Sequence, residues 1–253
     1  MPSPNAEVLP LTGERTVPGI AEENYWFRRH EAAYEFTLPY VTGKCVLEVG
    51  CGEGYGADLL ASSADVVVGV DYDCVTIVHA ARAYPGVRFA RANLAALPVA
   101  DRSVDVLATL QVIEHVWNHP EFVGECLRVL RPDGVLLVTT PNRLTFSPAL
   151  GAPVNPFHTV EFTGTELAAL LAQCGFRVER MLGLHTGARL AALDSAHGGS
   201  FVAAQLGDAP QNWSPALRAD VGSVTTADFE VLEHPLRDVD DSLDLVLLAR
   251  PRA

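Results

Sequence analysis

What the chain lacks narrows it first. No stretch of its 253 residues approaches the ~18 consecutive apolar residues of a membrane helix; runs such as Val66–Val70 and Val135–Val138 are strand-sized. The opening MPSPNAEVLPLTGER has no basic region followed by an apolar one, so no signal peptide is expected. The five cysteines, Cys45, Cys51, Cys74, Cys126 and Cys174, include no C-x-x-C pair. An odd, scattered set argues for free thiols in a reducing compartment, against a disulfide framework or a cysteine metal site. Positive charge is scarce: 18 Lys and Arg face 31 Asp and Glu, a formal net charge of −13. A surface that acidic repels phosphate backbones and anionic membranes, which disfavours nucleic acid or lipid as partner. The 20 Gly and 17 Pro are too scattered for a fibrous or disordered chain. One large soluble cytoplasmic domain, or one carrying an insertion, is expected.

What is there alternates. β-branched runs at Cys45–Val49, Val66–Val70, Val87–Arg91, Val104–Leu110, Val135–Thr140 and Arg177–Leu184 read as strands. Between them Tyr55–Ala61, Cys74–Tyr84, Glu121–Leu130 and Glu166–Cys174 read as helices, with a last strand at Leu243–Ala249. Punctuation agrees: Pro120 fits a helix's first position, Thr163–Glu166 a capping box, Gly175 a helix end. Near-continuous apolar strands alternating with helices imply a parallel sheet covered on both faces. Outside this core (41–184 and 243–253) lie a helical, aromatic cover in 1–40 and an insertion at 185–242. The cover's helix spans Glu22–Tyr40 and ends near Pro39. The insertion is too long for a simple connection and carries nine acids against three bases. A well-solvated surface, a lid, an acceptor wall or a subunit contact making a homodimer all fit it.

The first strand runs into Glu48-Val49-Gly50-Cys51-Gly52-Glu53-Gly54-Tyr55-Gly56. Glycines at a strand-to-helix turn let a ligand approach the backbone and the free N–H groups of the helix start. The dinucleotide frame G-x-G-x-x-G fits poorly, since position 55 is Tyr, and Glu48 two residues ahead suits a cationic ligand. Asp71, closing the second strand beside Tyr72, can take both hydroxyls of a ribose. Asp73 fits the next helix's N-cap, Asn93 before Leu94 can reach an adenine edge, and Asp105 is structural at a strand start.

In this order the motifs resemble the class I S-adenosylmethionine-dependent methyltransferases. Glu48 to Gly54 stand for E/D-x-G-x-G-x-G, Asp71 for the ribose acid, and Leu130-Arg131-Pro132-Asp133-Gly134 for the entry to the fifth strand. The resemblance implies a Rossmann-like α/β fold, a seven-stranded, mostly parallel sheet with helices on both faces and a long insertion before the last strand. It also implies S-adenosylmethionine held by Glu48, Gly50, Cys51, Gly52, Asp71, Tyr72, Asn93 and Leu94. The family more often has Asp where Asn93 stands.

After the fourth strand comes Gln111-Val112-Ile113-Glu114-His115; helical spacing puts Gln111, Glu114 and His115 on neighbouring faces. With His158 downstream, this is similar to metal-assisted O-methyltransferases that carry E-x-x-E-H and a later His. By that likeness Glu114, His115 and His158 hold a divalent ion such as Mg²⁺, His115 and His158 are catalytic, and Gln111, replacing a Glu, contacts the cofactor. The alternative is that Glu114 and His115 only shape the pocket and His158 is a bonded loop residue. His185, His197 and Glu230 are further candidates.

Leu11–Pro18, Glu23–His30, Cys51–Asp58, Asn155–His158, Ala196–Gly199 and Asp240–Asp244 together resemble actinobacterial sugar O-methyltransferases of polymethylated polysaccharide assembly. That implies a saccharide acceptor, of the methylmannose or methylglucose type. Tyr25, Trp26 and Phe27 fit either a helix packed on the sheet or an aromatic cover for the cofactor and a sugar. A phenolic or other natural-product hydroxyl, or a cofactor-binding protein without catalysis, are the other readings.

Overall fold

The apolar strands predict a sheet buried on both sides, and the computed structural model, which describes residues 15–148, 153 and 155–252, has one. The chain first forms α1 (Asn24–Val41), β1 (Cys45–Val49), α2 (Tyr55–Ala61), β2 (Val66–Asp71), α3 (Cys74–Ala83) and β3 (Arg88–Arg91). Next come β4 (Val104–Leu110), α4 (His119–Val129), β5 (Leu130–Pro141), the short α5 (Arg143–Phe146) and α6 (Gly164–Gln173). The last third holds β6 (Phe176–Thr186), α7 (Ala188–Ala196), α8 (Phe201–Leu206), α9 (Pro215–Ser223), β7 (Phe229–Leu232) and β8 (Asp244–Pro251). Residues 1–14, with Leu11-Thr12-Gly13-Glu14 of the sugar-type resemblance, lie outside the described residues. No helix among the described residues is long and apolar enough to cross a membrane.

The sheet order is β3-β2-β1-β4-β5-β8-β6-β7. The pairs joining β3, β2, β1, β4 and β5 are parallel; β8 runs antiparallel to β5 and β6, and β7 antiparallel to β6. The order reverses between β1 and β4, the point where open α/β sheets bind ligands beyond their carboxyl ends. Alternate residues feed two cores. Val46, Val106 and Leu137 meet Tyr25, Tyr34 and Phe201 on one face. Leu47, Leu107 and Val138 meet Phe122, Leu167 and Phe176 on the other.

Four expectations need correction. The sheet has eight strands rather than seven: Phe229–Leu232, inside the expected insertion, pairs with Gly183–Thr186 and shields part of an otherwise open edge. α1 runs to Val41, one residue past the expected Tyr40, and carries Pro39 inside it. Pro39 and Glu35, whose carbonyl the proline leaves without a helical partner, both lie on the exposed face, where water can replace the bond. β5 starts at Leu130, because Leu130 already pairs with Val104 across a register shift and Arg131 bridges to Asp105. Pro120 occupies α4's second position, since Asn118 caps that helix by accepting from Glu121 N. Elsewhere local chemistry acts as expected. Asp73 accepts from Val75 N, Thr163 and Glu166 form the capping box, and Gly175 ends α6 at φ +96°.

Candidate active site

The glycine turn after β1 is built by close approach. Gly50 has φ +79°, and its N–H donates to Val70 O at 2.8 Å. A Cβ there would stand 2.5 Å from Val112 Cγ2, so no side chain fits. The turn opens onto a cleft of about 630 Å³ at the carboxyl ends of β1, β2 and β4, a volume within the usual range for a cofactor site.

Of the expected cofactor residues, Gly50, Cys51, Gly52, Asp71, Tyr72, Asn93, Leu94 and Gln111 line this cleft. Asp71 is held rigidly: Oδ2 accepts from Gly52 N and Oδ1 from Asp73 N, each at 2.9 Å. Both oxygens keep lone-pair capacity for a diol. Asn93 Oδ1 accepts from Ala95 N at 3.0 Å, which leaves its amide N–H groups for a base edge. Glu48 is placed differently. It is fully buried beneath the turn, away from the cleft wall, and accepts from Tyr34 Oη at 2.5 Å through Oε1. Its Oε2 has no partner, and burial, helped by the nearby Asp71 charge, pushes its pKa up to about 8 against the Tyr34 bond.

Gln111 is not on a helical face. It takes a left-handed conformation, φ +58°, with its N–H bonded to Thr139 O and Nε2 to Thr139 Oγ1. The helical turn begins only at Ile113, so Gln111 projects separately from Glu114 and His115. Of those two, Glu114 turns inward (1% exposed), accepting from Thr140 Oγ1 at 2.9 Å, and burial pushes its pKa up to about 8. His115 lines the cleft, with Nδ1 3.0 Å from Phe157 O.

Thr159 brings His158 to them. Its N–H donates to Glu114 O at 2.7 Å and its hydroxyl to Val116 O at 2.6 Å, stitching one loop to the other. The His115 and His158 rings then meet edge-on, centroids 4.9 Å apart, and His158 Nδ1 lies 2.9 Å from Glu161 Oε1. Burial holds the His158 pKa below its ordinary value, with the Glu161 bond opposing. One ligand atom each from Glu114, His115 and His158 falls within 4.8 Å of the others. Glu114 and His115, neighbours in sequence, and His158 from a separate loop thus form one cluster at the cleft's edge.

α1 reaches the cleft through residues the sequence did not single out. His30 and Tyr34, one turn apart, line the cleft, and Thr16 Oγ1 lies 3.3 Å from both His30 Nδ1 and Tyr55 Oη. Burial, with Arg29 and His115 adding to it against Asp244, lowers the His30 pKa to about 4, so the ring is neutral near pH 7. The i,i+4 spacing was visible in sequence; the face it presents was not. Tyr25 and Phe27 are buried and outside the cleft wall, with Tyr25 packing on Phe201 and Phe229. None of the cleft-lining residues comes from 185–242. His197 instead pairs with Asp220 at 2.8 Å, and His185 sits opposite Glu230 in the β6–β7 ladder.

Known proteins resemble this arrangement. The family model described as "Methyltransferase domain" matches residues 47–138. A "probable S-adenosylmethionine-dependent methyltransferase" of Mycolicibacterium smegmatis is 56% identical, over 95% of this chain and 95% of its own. A Mycobacterium tuberculosis protein of the same description is 53% identical, over 96% of this chain and 89% of its own. The fold is shared with an S-adenosylmethionine-dependent methyltransferase structure from Thermotoga maritima (TM-score 0.59, 20% identity, 91% of this chain and 95% of that one). With such likeness running along nearly its whole length, the chain belongs to the class I S-adenosylmethionine-dependent methyltransferases.

Proposed function

We propose that the chain transfers the S-adenosylmethionine methyl group to a hydroxyl of a saccharide, a mannoside or glucoside, with a divalent ion held by Glu114, His115 and His158. The observation that carries the metal reading is the gathering of those three ligand atoms within 4.8 Å at the cleft's edge. Two imidazoles and one carboxylate suit Mn²⁺, Fe²⁺ or Zn²⁺ better than Mg²⁺, which favours oxygen. When bound, the ion supplies positive charge that acidifies an acceptor hydroxyl. The chain's own groups do the rest. The Gly50–Gly52 turn and Asp71 hold the donor, whose sulfonium methyl is already activated, so alignment is the main requirement. With no ion bound, His115 Nε2 at the cleft wall is the group placed to accept the hydroxyl proton. With an ion on that nitrogen its lone pair is taken, and the acidified hydroxyl would lose its proton to water instead.

A neutral sugar suits a protein of net charge −13. Trp117, 89% exposed on the cleft lining, offers a ring face to the C–H side of a pyranose. The same ring would take a phenolic acceptor, which is the second reading. Radiolabelled methyl transfer to partly methylated mannosides, glucosides and catechols, with and without chelator, separates the readings. Label should enter the sugars, fall on chelation and return with Mn²⁺. Transfer to catechols alone would overturn the saccharide, and full activity in thoroughly chelated enzyme the metal. Cofactor binding without transfer to any acceptor class would point to a non-catalytic protein.

A further inference from the structure

A carboxylate oxygen shut away from water with nothing bonded to it costs stability, so each such group in a fold asks for a reason. Glu161 is one. It is 2% exposed, Oε1 lies 2.9 Å from His158 Nδ1, and Oε2 has no partner. The chain beside it is pinned: Phe162 bridges to Asn142, and Arg143 N donates to Phe162 O at 2.9 Å. The backbone that carries the carboxylate is therefore held in place beside the imidazole. The imidazole is fixed as firmly, since Phe146 stacks on it at 5.7 Å and His115 meets it edge-on.

We propose that Glu161 is a positioning residue: by accepting the Nδ1–H of His158 it fixes the tautomer whose Nε2 carries the lone pair, in the cluster shared with Glu114 and His115. A carboxylate can only accept, so the proton between the two groups belongs to the ring. Phe157 O imposes the same tautomer on His115 through its Nδ1, and the two rings thus offer matching nitrogens. A carboxylate behind an imidazole also makes the opposite nitrogen more basic, whether that nitrogen holds an ion or a proton. The role deepens the metal reading and rests on it only for the ion; the tautomer stands with or without one.

Long-range ¹H–¹⁵N correlation spectra at mildly alkaline pH read the tautomer of each histidine, with His158 identified by the signals missing from His158→Gln. In the wild-type protein the expected His158 pattern is a protonated Nδ1 and a bare Nε2. Glu161→Leu removes the acceptor at similar volume. In this variant, folded as judged by S-adenosylhomocysteine binding, the proton should move to Nε2 and Mn²⁺ affinity, read by electron paramagnetic resonance, should fall about 10–100-fold. Glu161→Gln, which keeps a neutral acceptor, should hold the tautomer and lose less. A wild-type ring protonated on Nε2 overturns the proposal, whatever the variants do, and so does a Glu161→Leu protein that keeps the wild-type tautomer. If the tautomers behave as expected and wild-type protein binds no Mn²⁺, the metal reading fails and the positioning role remains.

Discussion

Glu48 shows at the residue scale how burial and pH are linked. Its carboxyl group ionises near 4.5 when solvated and near 8 when folded, mainly because burial disfavours its charge. Between those values the native chain holds a proton that the unfolded chain has released. The stability this provides is complete below about pH 4.5 and is lost as the pH rises through 8. Glu48→Gln, which cannot ionise yet still accepts from Tyr34, should melt above wild type at pH 8 and with it near pH 4. The expected gap at pH 8 is on the order of 4 kcal/mol, and thermal scans at both values check it. Asp71, by contrast, lines the cleft, where a ligand can reach it. Asp71→Ala should weaken S-adenosylhomocysteine binding about 10–100-fold by calorimetry, the loss of a charge-assisted bond of ~1.5–3 kcal/mol. Because Asp71 also fixes Gly52 N and Asp73 N, Asp71→Asn should fall between that variant and wild type. A folded Asp71→Ala protein with wild-type affinity would remove Asp71 from the ribose site.

At the scale of elements, α1 is the piece whose role depends most on its neighbours. Arg29 forms a buried pair with Asp244 of β8, 2.6 Å at the closest, and also donates to Leu243 O. Asp244→Ala strands the guanidinium and should cost about 3–5 kcal/mol; because α1 carries His30 and Tyr34, cofactor affinity should fall with it. The 185–242 segment holds α1 from the other side. Asn24 Nδ2 donates to Val221 O and Val224 O at 2.9 Å each, and Phe201 packs on Tyr25 at 5.7 Å. Phe201→Ala should lower stability by about 3–5 kcal/mol in denaturant titration. Excising the segment should loosen α1, not spare cofactor binding. Which elements were legible follows from where their signals lie. Caps such as Asp73 and Thr163 and apolar runs such as Val104–Leu110 act locally, and the observed elements begin and end close to them. The four-residue β7 exists only through its pairing with β6, a contact no local window contains. Gln111 defeated the helical spacing because its left-handed backbone satisfies Thr139 rather than a helix.

Over the whole molecule, the ordered set of glycine turn, Asp71 and Asn93 was readable because it follows strand ends, and strand order does the assembling. The cluster of Glu114, His115 and His158 was readable as residue types; Glu161 behind it was not, since only the fold shows that a carboxylate three residues on turns back to the same ring. The topology has a consequence for synthesis. The helix that walls the cleft is made before the sheet, and the strand that clamps it through Asp244 is made after the other seven. β8 also fills the gap between β5 and β6. A chain still tethered to the ribosome, with β8 inside the exit tunnel, therefore has an open sheet and an unclamped α1. Stalled nascent chains should resist protease and retain S-adenosylhomocysteine only once residue 251 has emerged. Until then α1 is unclamped, and the chain should not hold its cofactor.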